Sequence, residues 1–187
     1  MTSYVSRELL DAAIDLICQS PSVEGSVEMI VRRPAIGERE ILQEAELTVE
    51  GGLLGDNWPD RWSGKAEHRQ RHLDMQITLM NSRVIDAIAD GDRALWPLAG
   101  DQLFVDFDLR ADNIPPGTKI QVGEAVLEVV AEPHLGCKKF MGHFGQDAVM
   151  FVNSDDVRLL NLRGVNAKVI APGVVTNGGV ISKFAPF

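Results

Sequence analysis

The run from Thr118 to Ala131 constrains this chain more than any other stretch. Residues 118–122 and 125–131 are strand-like and flank Gly123-Glu124, a pair suited to a two-residue type II′ hairpin turn. Further strand-length segments follow the same style. Residues 27–32 alternate Val, Met and Val against Glu, Ile and Arg, residues 40–49, 74–80, 101–105 and 180–182 supply others, and residues 162–170 read as a loop entering a strand. Pro115-Pro-Gly117, Pro172-Gly173 and Asn177-Gly-Gly179 turn the chain between them. Many short strands with glycine turns and a few helices predict a mainly β (α+β) fold built on a small closed or nearly closed barrel.

Helices are fewer. Residues 6–18 place Leu9, Leu10, Ala13, Ile14 and Ile17 on one face, which predicts an amphipathic helix strapped to the outside, with Cys18 near its apolar side. Residues 83–89 predict a second helix, capped by Asn81 or Ser82 and stopped at Gly91. Lys138-Lys-Phe-Met141 opens a short one, and residues 145–152 suit helix or strand equally. With no internal repeat and no linker, 187 residues form one domain, residues 25–183, preceded by a helical extension, residues 1–22.

The net charge of −9 argues against a nucleic-acid partner, which needs a basic face. No apolar run approaches the ~20 residues of a membrane span. Glu8, Asp11 and Asp15 interrupt any secretory pattern, so no membrane partner and a cytoplasmic location are expected. One small basic pocket is still compatible with the charge, lined from Arg32, Arg33, Arg39, Lys138, Lys139 and Arg163.

Two motifs carry little. Gly51-Gly-Leu-Leu-Gly-Asp56 lacks the Lys-Ser/Thr of a P-loop and suits a tight barrel corner better. His68 and His72 have the i, i+4 spacing of zinc ligands, yet neither the zincin glutamate nor a third ligand accompanies them.

Cys137 carries more. It follows a strand, with Pro133 and Gly136 just ahead, so it leaves the sheet on a loop. Ammonium groups and a helix N-terminus favour thiolate over thiol, and Lys138 and Lys139 come directly after it. Thiolate attacks sulfur and ligates soft metals. His134 and His143 flank it, as proton donor, zinc partners or simple turn caps.

Six segments, in order, together resemble the MOSC domain, the family of the C-terminal domain of molybdenum-cofactor sulfurases. They are Gly52-Leu-Leu-Gly-Asp56, Gln76-Ile-Thr-Leu79, Gly100-Asp-Gln-Leu103, the 116–129 hairpin, Cys137, and Leu162-Arg-Gly-Val-Asn-Ala-Lys-Val169 with Pro172-Gly173. The likeness spans residues 25–183. Asp101 and Gln102 stand where the family usually has glutamate and asparagine, and Gly136 where many members have proline.

The resemblance implies a pyruvate-kinase-type β-barrel with a few peripheral helices and Cys137 at the mouth of a pocket. It implies a molybdenum-pterin cofactor with Cys137 as metal ligand and catalytic residue, reducing small N-hydroxylated compounds. Cofactor contacts would come from Arg163, Arg39, Gly100, Asp101, Gln102, His134 and Lys138. Electrons would come from a separate donor protein, since no iron–sulfur cysteine set or dinucleotide motif is present. Two alternatives stay open: a Cys137 persulfide that takes sulfur from a donor protein and passes it on, and a non-catalytic binding module. Whether the chain is an enzyme is left open by these readings. Family association with pyridoxal phosphate does not extend here, because no lysine is marked as a Schiff-base former.

Overall fold

The computed structural model describes residues 4–61 and 73–184. Seven strands close a barrel in the spatial order β1 (Glu24–Arg32), β11 (Val180–Lys183), β7 (Lys119–Val122), β8 (Ala125–Val129), β9 (Val165–Ala171), β5 (Ile77–Asn81) and β6 (Leu103–Asp106), with β6 returning to β1. The expected mainly β barrel is thus the fold observed. All neighbours are antiparallel except β5 and β6. Parallel strands need a crossover connection. Here it is helix α3 (Ser82–Ile88) and a 3₁₀ segment, Arg93–Ala99, which deliver Gly100 and Asp101 to the start of β6. The Asn81 side chain accepts from the Arg83 N–H at 2.8 Å, capping α3 as its sequence predicts.

Val27, Ile30, Leu79, Leu103, Val105, Leu127 and Val169 fill the barrel. In β1 the inward positions shift from Val27 to Ile30 because a bulge between Val27 and Met29 resets the alternation. Met29, Val31, Met80 and Phe104 therefore face outward and build a second core under the helices. The 7–8 hairpin turns on Gly123, whose φ of 57° meets the type II′ requirement at the first central position. A Cβ there would lie 2.5 Å from the Val174 carbonyl oxygen, so glycine is required twice over.

Several boundaries differ from the sequence expectation. The 40–49 strand divides at Gln43. Strand β2 (Glu40–Leu42) stays on β1, while β3 (Glu44–Thr48) joins a small sheet between β10 (Gly173–Thr176) and β4 (Gly52–Leu53). The 6–18 helix breaks at Ala13 into α1 (Arg7–Ala12) and α2 (Ile14–Ile17), burying Leu10 and Ile17 in the second core. Cys18, past the end of α2, is only half-buried and not a core residue. His68 and His72 lie outside the described residues. Of residues 145–152, ambiguous in sequence, all but the non-helical Gly145 are helical, and the stretch belongs to α4 (Lys138–Asn153). No described helix is long and apolar enough to cross a membrane.

Candidate functional site

Strand β8 ends at Val129, and the chain runs over the barrel flank until Cys137 takes the N-cap position of α4 in extended conformation. The Cys137 side chain makes no capping hydrogen bond and is exposed. Just before it, the Gly136 N–H donates to Asn153 Oδ1 at 2.8 Å and the Asn153 amide donates to the Gly136 carbonyl at 3.0 Å. A straight helix of 16 residues is ~24 Å long. Its last residue reaches back to its start because Gly145 (φ 87°, ψ 174°) interrupts it, so α4 is two short helices folded on each other. Left-handed backbone of that kind favours glycine.

A buried polar group lies below the thiol. Asp101 is fully buried and accepts from Arg163 Nη1 at 2.6 Å, while Arg163 Nη2 donates to the Ala99 carbonyl at 2.9 Å. The Arg163 guanidinium also sits 4.8 Å from the Phe140 ring centroid, a cation–π contact that ties α4 to the barrel. Arg33 forms a second buried pair, donating twice to Asp56 at 2.8 Å and once to the Gly100 carbonyl at 2.9 Å. Thus Asp56 of the glycine-rich corner serves to hold an arginine. Pairing of this kind is what makes a buried guanidinium tolerable.

His134 Nδ1 stands 3.4 Å from Asp101 Oδ1, close but out of line, and neither atom completes a hydrogen bond among the described residues. Burial, with Arg163 and Arg33 nearby, holds the imidazole well below its usual range, so it is neutral and the contact is no ion pair. Burial pushes the Asp101 carboxyl up, against the pull of Arg163.

Arg33, His134 and Arg163 border a cavity of about 430 Å³. Its lining includes Cys137, Lys139, Arg39, Arg163, His134 and His143. The volume lies within the ~300–1,000 Å³ of small-molecule sites. Among the described residues no three His, Cys, Asp or Glu side chains stand close enough to hold a metal, so the zinc arrangement of Cys137 with His134 and His143 is not formed.

No family model matches this chain, and no curated protein does. Solved structures do. The YuaD protein of Bacillus subtilis is 18% identical with a TM-score of 0.59, over 87% of this chain and 97% of that one. YiiM of Escherichia coli is 20% identical with a TM-score of 0.53, over 87% of this chain and 71% of that one. YiiM of Geobacillus stearothermophilus is 12% identical with a TM-score of 0.53, over 86% and 75% respectively. What is shared is the fold.

The site residues expected from sequence are placed unequally around the cavity. Cys137, Arg39, Gly100, His134 and Arg163 line it. Asp101 lies behind the wall, held by Arg163. Gln102 is fully buried and its side chain is committed elsewhere: Oε1 accepts from the Thr78 N–H and hydroxyl at 3.0 and 2.6 Å, and Nε2 donates to the Gln76 carbonyl at 2.9 Å. It joins β5 to the start of β6 and presents no amide to the cavity. Lys138 is exposed outside the lining, and Lys139 occupies the position inside. Phe140 and Trp58 also line the cavity without having been expected to. Phe140 was reachable from sequence, since it lies three residues after Cys137 on the same helical face. Trp58 carries no comparable signal.

Proposed function

We propose that this chain is a MOSC-type domain that binds a molybdenum-pterin cofactor through Cys137 and reduces small N-hydroxylated compounds. The observation that carries the reading is an exposed thiol at the lip of a cation-bordered cavity of about 430 Å³. A thiolate is a suitable soft ligand for the metal. Lys139 and Arg39 border the cavity and suit the cofactor's phosphate, while Arg163 and Arg33 act from beneath with their charges balanced by Asp101 and Asp56. When bound, the cofactor supplies two-electron oxo transfer, leaving orientation and electrostatics to the protein. The Gly136–Asn153 hydrogen bonds fix the loop bearing the thiol, and the Asp101–Arg163 pair fixes the floor. The neutral His134 imidazole borders the cavity with Nδ1 turned toward Asp101, and adds no positive charge of its own there. Electrons would come from a separate protein.

The test is elemental analysis for molybdenum, tungsten and zinc with intact mass, on protein made in a host that synthesises the cofactor. About one equivalent of molybdenum, lost in Cys137→Ser, is the expected result. Full metal content in the serine variant would sink the ligand assignment.

The exposure of Cys137 also favours a second reading, sulfur transfer through a persulfide. Metal-free protein with a reductant-sensitive gain of ~32 Da, one added sulfur, would select it. Neither signal would leave a binding module.

A further inference from the structure

Cys137 is held by both ends of one bent helix. The first half of α4 starts directly after the thiol, with the Met141 N–H donating to the Cys137 carbonyl at 2.9 Å. The second half ends at Asn153, which returns to the backbone of Gly136. Where the thiol stands over its cavity therefore depends on the angle between the halves, and that angle is made at Gly145. Glycine is the residue least able to hold an angle by itself. Phe140 and Phe144 sink the first half into the second core, and Ala148, Phe151 and Val152 sink the second. Such burial is non-directional.

Directional contacts come from the N-terminal segment. The Tyr4 ring covers Gly145, with Cδ2 only 2.7 Å from where a Cβ would stand, and its hydroxyl donates to the Gly142 carbonyl at 3.3 Å. The Arg7 N–H donates to Asp147 Oδ2 at 3.0 Å, and the Arg7 guanidinium stands 5.7 Å from the Phe151 ring centroid. Arg7 opens α1, whose N-cap residue Ser6 makes no side-chain hydrogen bond. The first N–H groups of a helix need acceptors from outside it, and here the carboxylate comes from α4. Tyr4 thus touches the half before the elbow and the elbow itself, and Arg7 touches the half after it.

We infer that residues 4–7 form a splint across the elbow of α4, with Tyr4 and Asp147 as positioning residues that hold Cys137 against its cation-bordered cavity. Neither residue lines that cavity. Lys139 and Phe140 line it from the first half of α4, so the same splint sets where they stand. The inference takes from the proposed function only that Cys137 is the reacting group, and it holds whether that group carries metal or sulfur.

The test compares alkylation of Cys137 by iodoacetate and iodoacetamide, an anion and a neutral reagent of similar size, followed by mass spectrometry. It uses full-length protein from a host that does not make the pterin cofactor. Arg33, Arg39, Lys139 and Arg163 line the cavity, and no described carboxylate does. A positive field in a cleft concentrates anions, so the iodoacetate-to-iodoacetamide rate ratio should be at least about threefold higher at Cys137 than for free cysteine. Tyr4→Ala and Asp147→Ala should each cut that ratio about twofold by letting the thiol drift from the cations. Tyr4→Phe keeps the ring and should keep the ratio. Asp147→Asn keeps an acceptor for the Arg7 N–H without the charge, and should keep it too. Tyr4 and Asp147 are at least partly exposed, so these variants leave the core intact. A wild-type ratio equal to that of free cysteine, or unchanged ratios in both alanine variants, would overturn the splint. Equal losses in Tyr4→Phe and Asp147→Asn would remove the contacts named as its cause. A matching fall at Cys18 would show general loosening and overturn it as well. Metal content does not enter these rates, so failure of the splint is distinct from failure of the cofactor reading.

Discussion

Asn153, the last residue of α4, exchanges two hydrogen bonds with the backbone of Gly136, the residue before the helix-capping cysteine. The pair clamps the thiol loop from the far end of the same helix. Each such bond is worth roughly 0.5–1.5 kcal/mol, so Asn153→Ala should lose about 1–2 kcal/mol in urea unfolding. Hydrogen exchange at residues 135–138 should rise together with Cys137 alkylation. A stability loss without faster local exchange would mean that the clamp does not govern the loop.

Gly145→Ala tests the fold-back directly. A Cβ there would lie 2.7 Å from Tyr4 Cδ2, and φ is +87°. The left-handed backbone alone costs a non-glycine residue about 1–3 kcal/mol. The double variant Tyr4→Ala/Gly145→Ala should recover the clash and keep the backbone cost. Full recovery in the double variant would show that φ at Gly145 imposes nothing.

The Arg33–Asp56 pair is nearly inaccessible, with side-chain exposures of 8% and 0%. Arg33→Met strands a buried carboxylate and should cost about 3–5 kcal/mol. Arg33→Met/Asp56→Leu should be considerably more stable than the single variant, since removing both charges removes the stranded one. Calorimetry of the three proteins decides the matter, and additive losses would contradict a buried pair.

His134 makes the stability of the fold depend on pH. Its folded pKa is depressed by burial and by Arg163 and Arg33, so its contribution is fully present above about pH 6.5. Below that the unfolded imidazole takes up a proton that the folded one refuses, and stability falls by up to ~1.4 kcal/mol per pH unit. Asp101 works in the other direction: its raised folded pKa gives a contribution that is lost as pH rises. Because both proteins retain Asp101, urea titrations of wild type and His134→Gln between about pH 7 and 5 isolate the histidine. The two slopes should differ by close to one proton, and identical slopes would contradict a buried neutral imidazole.

Much of the barrel was legible from local signals. Gly123-Glu124 specifies its turn by one positive φ, and Asn81 caps α3 with its own side chain. The placement of Cys137 on a loop leaving the sheet followed from Pro133 and Gly136. Features set by distant partners were hidden. Residues 145–152 show no single periodicity because their helix turns back at Gly145 and packs partly under Tyr4. Gln102 lies in a segment that suggests ligand contact, yet Thr78 and Gln76, more than twenty residues away, consume its amide. Arg33 was one cation among six until Asp56 chose it. Pairings across such separations depend on how the crossover and corner are placed, and a linear pattern does not carry that information.

Closure of the barrel by β1 on β11, with Glu24 opposite Ser182, bears on how the protein is born. Strand β1 leaves a ribosome long before β11, and this edge is not covered until β11 follows. Until then Val27 and Ile30 face an open trough, and the edge of β1 offers unpaired backbone to any passing strand. Synthesis delivers residues at only ~5–20 per second, so that edge stays open for many seconds in every nascent copy.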